Sequence, residues 1–197
     1  MLPKEVDNLI VAEKSISVSN IVNGTTRLQP VVLQIGTAAG TLAAIATREN
    51  ISPSQVSVRQ VQKAILDAGG YLLPYLDVPK TNKYFKTYQR IGATGILKGE
   101  GRNVGWANQT WLRTDTLLLS TELDQLKEIY PNMTYQLPTD TVALTINDAI
   151  NMIENIAMTH DIKTENIKVL VNHILKDNKA IVYNNSKNIT RGGFAIL

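Results

Sequence analysis

The chain has 197 residues, enough for one ordinary domain or two small ones, and its 44% hydrophobic and 19% charged content is a soluble globular balance. The formal charge of +3 comes from lysines and arginines scattered along the chain, not from a basic stripe interleaved with aromatics, which argues against a nucleic-acid partner; no apolar run approaches the roughly 18 residues of a membrane span, so no segment is expected to cross a bilayer. With no cysteine, disulfides, thiol catalysis and thiolate metal sites are excluded.

The opening Met1-Leu2-Pro3-Lys4-Glu5 lacks the basic-then-apolar layout of a signal peptide, so the signal of an exported parent, extracytoplasmic or periplasmic, would lie upstream. Asn8 to Ala12 is a short continuous apolar run and predicts a central parallel strand buried on both faces. After a Ser-rich passage ending in the turn signal Asn23-Gly24 comes an Ala-rich helix from Val31 to about Arg48, with Pro30 in its first turn, where a missing N–H costs nothing. A second helix is expected from about Ser54 to Ala68, started by Pro53 and stopped by Gly69-Gly70. Tyr71 to Pro79, with two prolines, reads as a linker and domain boundary.

Beyond it the sequence predicts a helix over Lys83 to Ala93, a polar glycine-rich loop through Gly105, and a helix from Trp111 to about Tyr130 with Thr114 as its cap. Thr145 is expected to cap a helix through about Met158, and Thr164 another through about Lys176. Asn188-Ile189-Thr190-Arg191 then leads into an apolar end, Phe194 to Leu197, where a further helix should start.

Three passages occur in a telling order: Val6-Asp7-Asn8-Leu9-Ile10-Val11-Ala12-Glu13-Lys14-Ser15-Ile16-Ser17, then Gly24-Thr25-Thr26-Arg27-Leu28-Gln29-Pro30, then Gly36-Thr37-Ala38-Ala39-Gly40-Thr41-Leu42-Ala43-Ala44. Together they resemble the closing motif of the FAD-dependent oxidoreductase family, some members of which carry the label xanthan lyase. The resemblance implies that the strand closes a dinucleotide-binding sheet and that the loop after it, with Ala12 and Glu13, passes the ribityl and pyrophosphate part of FAD. It further implies that the Ala-rich helix aims its N-terminus, with Gln29, Pro30 and Val31, at the pyrimidine edge of the flavin. Unpaired N–H groups and the dipole at a helix start favour the negative charge that a reduced flavin carries there. Arg27, a permanent cation just before that start, suits a flavin oxygen, a phosphate or an anionic substrate. Glu13 stands where relatives often have glycine; its carboxylate would repel a pyrophosphate yet accept a hydrogen bond from a ribityl hydroxyl.

Such a site also needs a glycine-rich turn after the first strand of the sheet. The nearest pattern, Gly99-x-Gly101-x-x-x-Gly105, has the wrong last spacing and leads to Trp106 with no evident helix, so it reads as a loop. The expected partner is therefore the upstream part of the same flavoprotein, which would also supply the site for a small-molecule or carbohydrate substrate. The chain is expected to be a C-terminal piece of that protein.

Tyr75-Leu76-Asp77-Val78-Pro79, Tyr84-Phe85, Ile91 to Gly99 and Trp111-Leu112-Arg113-Thr114-Asp115 resemble one S-layer homology repeat, and Ile189 to Leu197 is similar to the start of another repeat's last helix. The fold class expected is thus mostly α with a minor β part: the final strand and helix of an α/β, Rossmann-like FAD-binding domain over 1–70, then a helical repeat domain over 71–197, divisible into 71–131 and 139–197. The resemblance leaves two roles for that domain, packing or oligomerisation on the flavin part, and holding a cell-wall polymer. Trp106, Trp111 and Tyr84 suit either a sugar-binding groove or a core. His160 and His173 fit no compact metal motif, and no Ser-His-Asp grouping is present, so no catalytic residue is assigned.

Overall fold

The computed structural model describes residues 1–160, 162, 164–177 and 187–197. It divides into two compact units, Met1–Leu72 and Leu73–Leu197. Among the described residues there are eight α-helices and one two-stranded antiparallel sheet, with no doubly wound sheet and no repeat array.

In the first unit, Ser19 caps α1 (Asn20–Thr26) by accepting from the Val22 N–H, and the long helix α2 (Gln29–Glu49) comes next with Pro30 in its first turn. Asn50, in the left-handed region at φ 52°, stops it. The helix expected over Ser54 to Ala68 is interrupted because two serines compete to start it. Ser52 begins a short 3-10 turn, Pro53–Gln55, and Ser57 begins α3 (Val58–Asp67), with Gln55 and Gln60 each reaching back to its own capping residue's N–H at 2.9 and 3.0 Å. Gly69, at φ 80°, lets the chain leave α3. The core is small: Leu42, Ile45 and Ala46 of α2 with Val56, flanked by Ile10, Ile51, Val61 and Ala64.

Two expectations for this unit need correction. Asn8 to Ala12 is not a strand: Asn8 bends the backbone at φ 60°, and the extended residues after it have no ladder partner among the described residues, only a bond from the Val11 N–H to the Met1 carbonyl at 2.8 Å. A strand exists only where a neighbour takes its alternate N–H and C=O groups. The expectation that no stretch reaches the length and apolarity of a membrane span is the second. Taken as a whole, α2 is long and apolar enough to cross a membrane, since its glycines and threonines break the run without lowering the average far.

The second unit holds the larger core, centred on Leu97, Leu112, Leu118, Leu123, Leu144 and Ile189, all nearly or wholly excluded from solvent. Helix α4 (Phe85–Thr94) ends at Gly95, φ 78°. Gln89, buried in the middle of α4, uses both amide atoms on the backbone of Leu73, accepting at 2.8 Å and donating at 2.9 Å. The stretch read as a glycine-rich loop is a hairpin, β1 (Glu100–Val104) with β2 (Ala107–Trp111), in the register Glu100↔Trp111 to Val104↔Ala107. Its two-residue connection has Gly105 first, at φ 56°, the placement a type II′ turn demands. Both faces of β1 meet water, so the apolar alternation that betrays a strand is absent.

The helix expected from Trp111 to Tyr130 is also absent. Asp77 accepts from the Leu112 and Arg113 N–H groups at 2.8 and 2.7 Å and holds Arg113 at φ 59°, which no helix start tolerates. The Thr114 carbonyl accepts from Gly192 instead of opening a helix. In place of the long helix the chain forms a 3-10 turn, Ser120–Leu123, and the single-turn helix α5 (Leu126–Ile129). Thr145 caps α6 (Ile146–Thr159) in a box with Asp148, α7 spans Thr164–Asp177, and Thr190 caps α8 (Arg191–Ile196) by accepting from the Gly193 N–H. Three extended segments, leading into the Ser120–Leu123 turn, α6 and α8, close a ring of backbone bonds: Leu118 N–H to the Ile189 carbonyl, Ile189 N–H to Leu144, and Leu144 N–H to Leu118, at 2.9, 2.8 and 2.9 Å. Each donor and acceptor in the ring is buried, so the bonds form away from competing water.

Candidate functional site

The start of α2 is built by two adjoining helices. Arg27 caps the C-terminal end of α1 with αR backbone, its N–H bonded to the Asn23 carbonyl; Leu28 then turns to extended backbone, φ −69°, ψ 137°, and α2 begins at Gln29. Leu28 sits where serine, threonine, aspartate or asparagine would normally supply an acceptor, and it has none. Pro30 brings no N–H, and among the described residues neither the Gln29 nor the Val31 N–H finds an acceptor. Arg27, Leu28, Gln29 and Pro30 are exposed and Val31 half-buried. The result is an open helix start with unspent donors, the positive end of a 21-residue dipole, and one guanidinium beside it.

Ala12 and Glu13 lie elsewhere in the same unit. Ala12 is extended (φ −128°, ψ −179°) and leads into a 3-10 turn, Glu13–Ser15, that packs on α2; Glu13 adopts φ 60°. Among the described residues no hydrogen bond or ion pair joins Ala12 or Glu13 to the Arg27–Val31 group. A positive φ explains the glycine-like position of Glu13: the backbone needs a left-handed residue whether or not it is glycine.

One side of α2, through Ala39, Leu42, Ile45 and Ala46, enters the core. The opposite side, Leu33, Gly36, Gly40 and Ala44, is exposed, with Leu33 71% accessible. A methyl group added at Gly36 or Gly40 would meet nothing within 4 Å. The motif drew attention to the glycines and not to Leu28; a hydrophobic residue in place of a capping side chain was the available signal.

In the second unit, a cleft of about 690 Å³ is lined by Lys98, Arg102, Arg113 and Arg191 together with Glu100, Glu122 and Asp124. Glu100 bridges the Nε atoms of Arg102 and Arg113 at 2.7 and 3.1 Å, and those bonds hold its carboxyl below the ordinary range. Arg191, almost wholly buried, donates to the Leu112 carbonyl at 2.8 Å, to the Lys98 carbonyl and to Glu122. Burial pushes the Tyr75 hydroxyl up to about 12, with the Arg191 charge opposing and Asp77 adding to the rise. The three aromatics considered for a groove are dispersed: Trp106 is fully exposed at the hairpin tip, Trp111 is at the far end of β2 beneath the Arg113 guanidinium, and Tyr84 packs at a tilt on Tyr88. His160 meets the Tyr130 ring edge-on and His173 faces Asp177, so neither joins a metal-ligating group; among the described residues no such group exists.

Residues 1–65, about a third of the chain, match the family model of FAD dependent oxidoreductases. No curated protein and no solved structure matches the chain. The match includes the open start of α2 and ends before the second unit, and neither the fold nor the comparisons carry the likeness to S-layer homology repeats.

Proposed function

We propose that residues 1–65 are the closing part of an FAD-binding domain, with the start of α2 set against the flavin and the remainder of the cofactor cradle contributed by other polypeptide of the same protein. The observation that carries this reading is the uncapped, solvent-open start of α2 inside the region matching the family. Its free Gln29 and Val31 N–H groups and the helix dipole suit the negative charge near the pyrimidine edge of a reduced flavin, and Arg27 suits a flavin oxygen or phosphate. When bound, FAD supplies the hydride chemistry; these residues orient it and offset its charge. Ala12 and Glu13 are read as the loop passing the ribityl chain, where the Glu13 carboxylate accepts a hydroxyl hydrogen bond.

Two further features support completion by other polypeptide. The first unit's core is thin for its length, and small cores seldom offset the conformational entropy of an ordered chain. Each glycine within a helix costs roughly 0.5–1 kcal/mol relative to alanine, and neither Gly36 nor Gly40 is made necessary by a neighbour in its own unit. A backbone approaching closely from outside would make them necessary. Because α2 lies inside the family match, its uncovered apolar side is assigned to that protein contact and not to lipid. The substrate of the complete protein, a small molecule or carbohydrate, would be chosen by residues outside this chain.

Visible absorbance of purified protein tests the reading. The isolated chain is expected to be colourless and a longer chain containing it to be yellow; a yellow isolated chain would overturn the assignment. The second unit has a core of its own, which favours a self-folding extension. The contrasting reading, a polysaccharide-binding or wall-anchoring module, requires the isolated chain to be retained on purified peptidoglycan or polysaccharide without any flavin.

A further inference from the structure

We draw no further inference here: the strongest candidate, the charged cleft between the hairpin and the Ser120–Leu123 turn, carries nothing because its arginines are already engaged by Glu100 and Glu122 on the same wall and nothing in the structure shows what would occupy it.

Discussion

Leu28 is the residue at which stability and the proposed role pull apart. Replacing it with aspartate supplies the missing acceptor and should stabilise the first unit by about 1 kcal/mol, the usual value of a capping side chain. The same carboxylate would stand beside the flavin in the complete protein and disfavour its anionic reduced form. Leu28→Asp is therefore expected to raise the melting temperature of the isolated chain and to lower the flavin midpoint potential of the longer protein. A potential that does not move would place the helix start away from the ring. Gly36 and Gly40 present a parallel case: each, changed to alanine, should stabilise the isolated chain by roughly 0.5–1 kcal/mol, since the added methyl has open space. In the longer protein Gly36→Ala and Gly40→Ala should instead reduce FAD retention, read from the ratio of visible to ultraviolet absorbance. Stabilisation in both settings would mean that nothing packs on that side.

Helices announced by local chemistry were legible along the chain, and those decided by distant partners were not. Pro30 in the first turn of α2 and the Thr145 box of α6 are contained within a few residues, so the sequence alone indicates where these helices begin. The helix expected to start at the apolar end, Phe194 to Leu197, begins earlier, at Arg191, behind the Thr190 cap that the sequence reading did not single out. The false helix after Trp111 was undone by Asp77, more than thirty positions earlier, whose two backbone bonds no local pattern reveals. The hairpin escaped because a ribbon wet on both faces has no apolar periodicity, and the strand at Asn8 to Ala12 was inferred from a run that has no partner here. At the candidate site, the sequence singled out Arg27 to Val31 by the proline and the order of the motif, whereas the missing cap was visible only once the backbone of Leu28 was known. Arg191 shows how much one long-range contact can hold: it ties α8 to the carbonyls of Leu112 and Lys98 and to the carboxylate of Glu122. Arg191→Met leaves that carboxylate and those carbonyls without their donor and should cost about 3–5 kcal/mol in urea unfolding of the second unit. A loss below about 1 kcal/mol would show the network to be replaceable by water.

For the second unit considered whole, charge and burial set the pH range of stability. Tyr75 and Tyr135 have hydroxyls raised from 10.0 to about 12, Tyr75 mainly by burial and Tyr135 by burial together with its bond to Asp148. Both must remain protonated in the folded state, so their contribution is intact below pH 10 and is lost as pH rises from about 10 through about 12. On the acid side Asp148 is pushed up by burial, but hydrogen bonds from Thr145 and Tyr135 outweigh this and leave its carboxyl below the ordinary value of 3.8. Its contribution is present above that value and disappears as pH falls through the lowered one. Tyr135→Phe should therefore shrink the alkaline loss of the second unit and weaken its acid tolerance, both measurable as urea midpoints across pH. An unchanged alkaline limb would show that the other buried tyrosines with raised hydroxyls, Tyr75 and Tyr88, govern it. The ring through Leu118, Leu144 and Ile189 also bears on how the second unit is made. Its three members are separated by about seventy positions in all, and contacts of that reach slow folding because the loops between them must close first. While a ribosome is still adding residues before Ile189, Leu118 and Leu144 can meet but the two links through Ile189 cannot be forged, leaving leucines that will later be interior facing water. Nascent chains halted short of that point should be protease-sensitive and prone to stick to one another, then become resistant once residues 187–197 emerge.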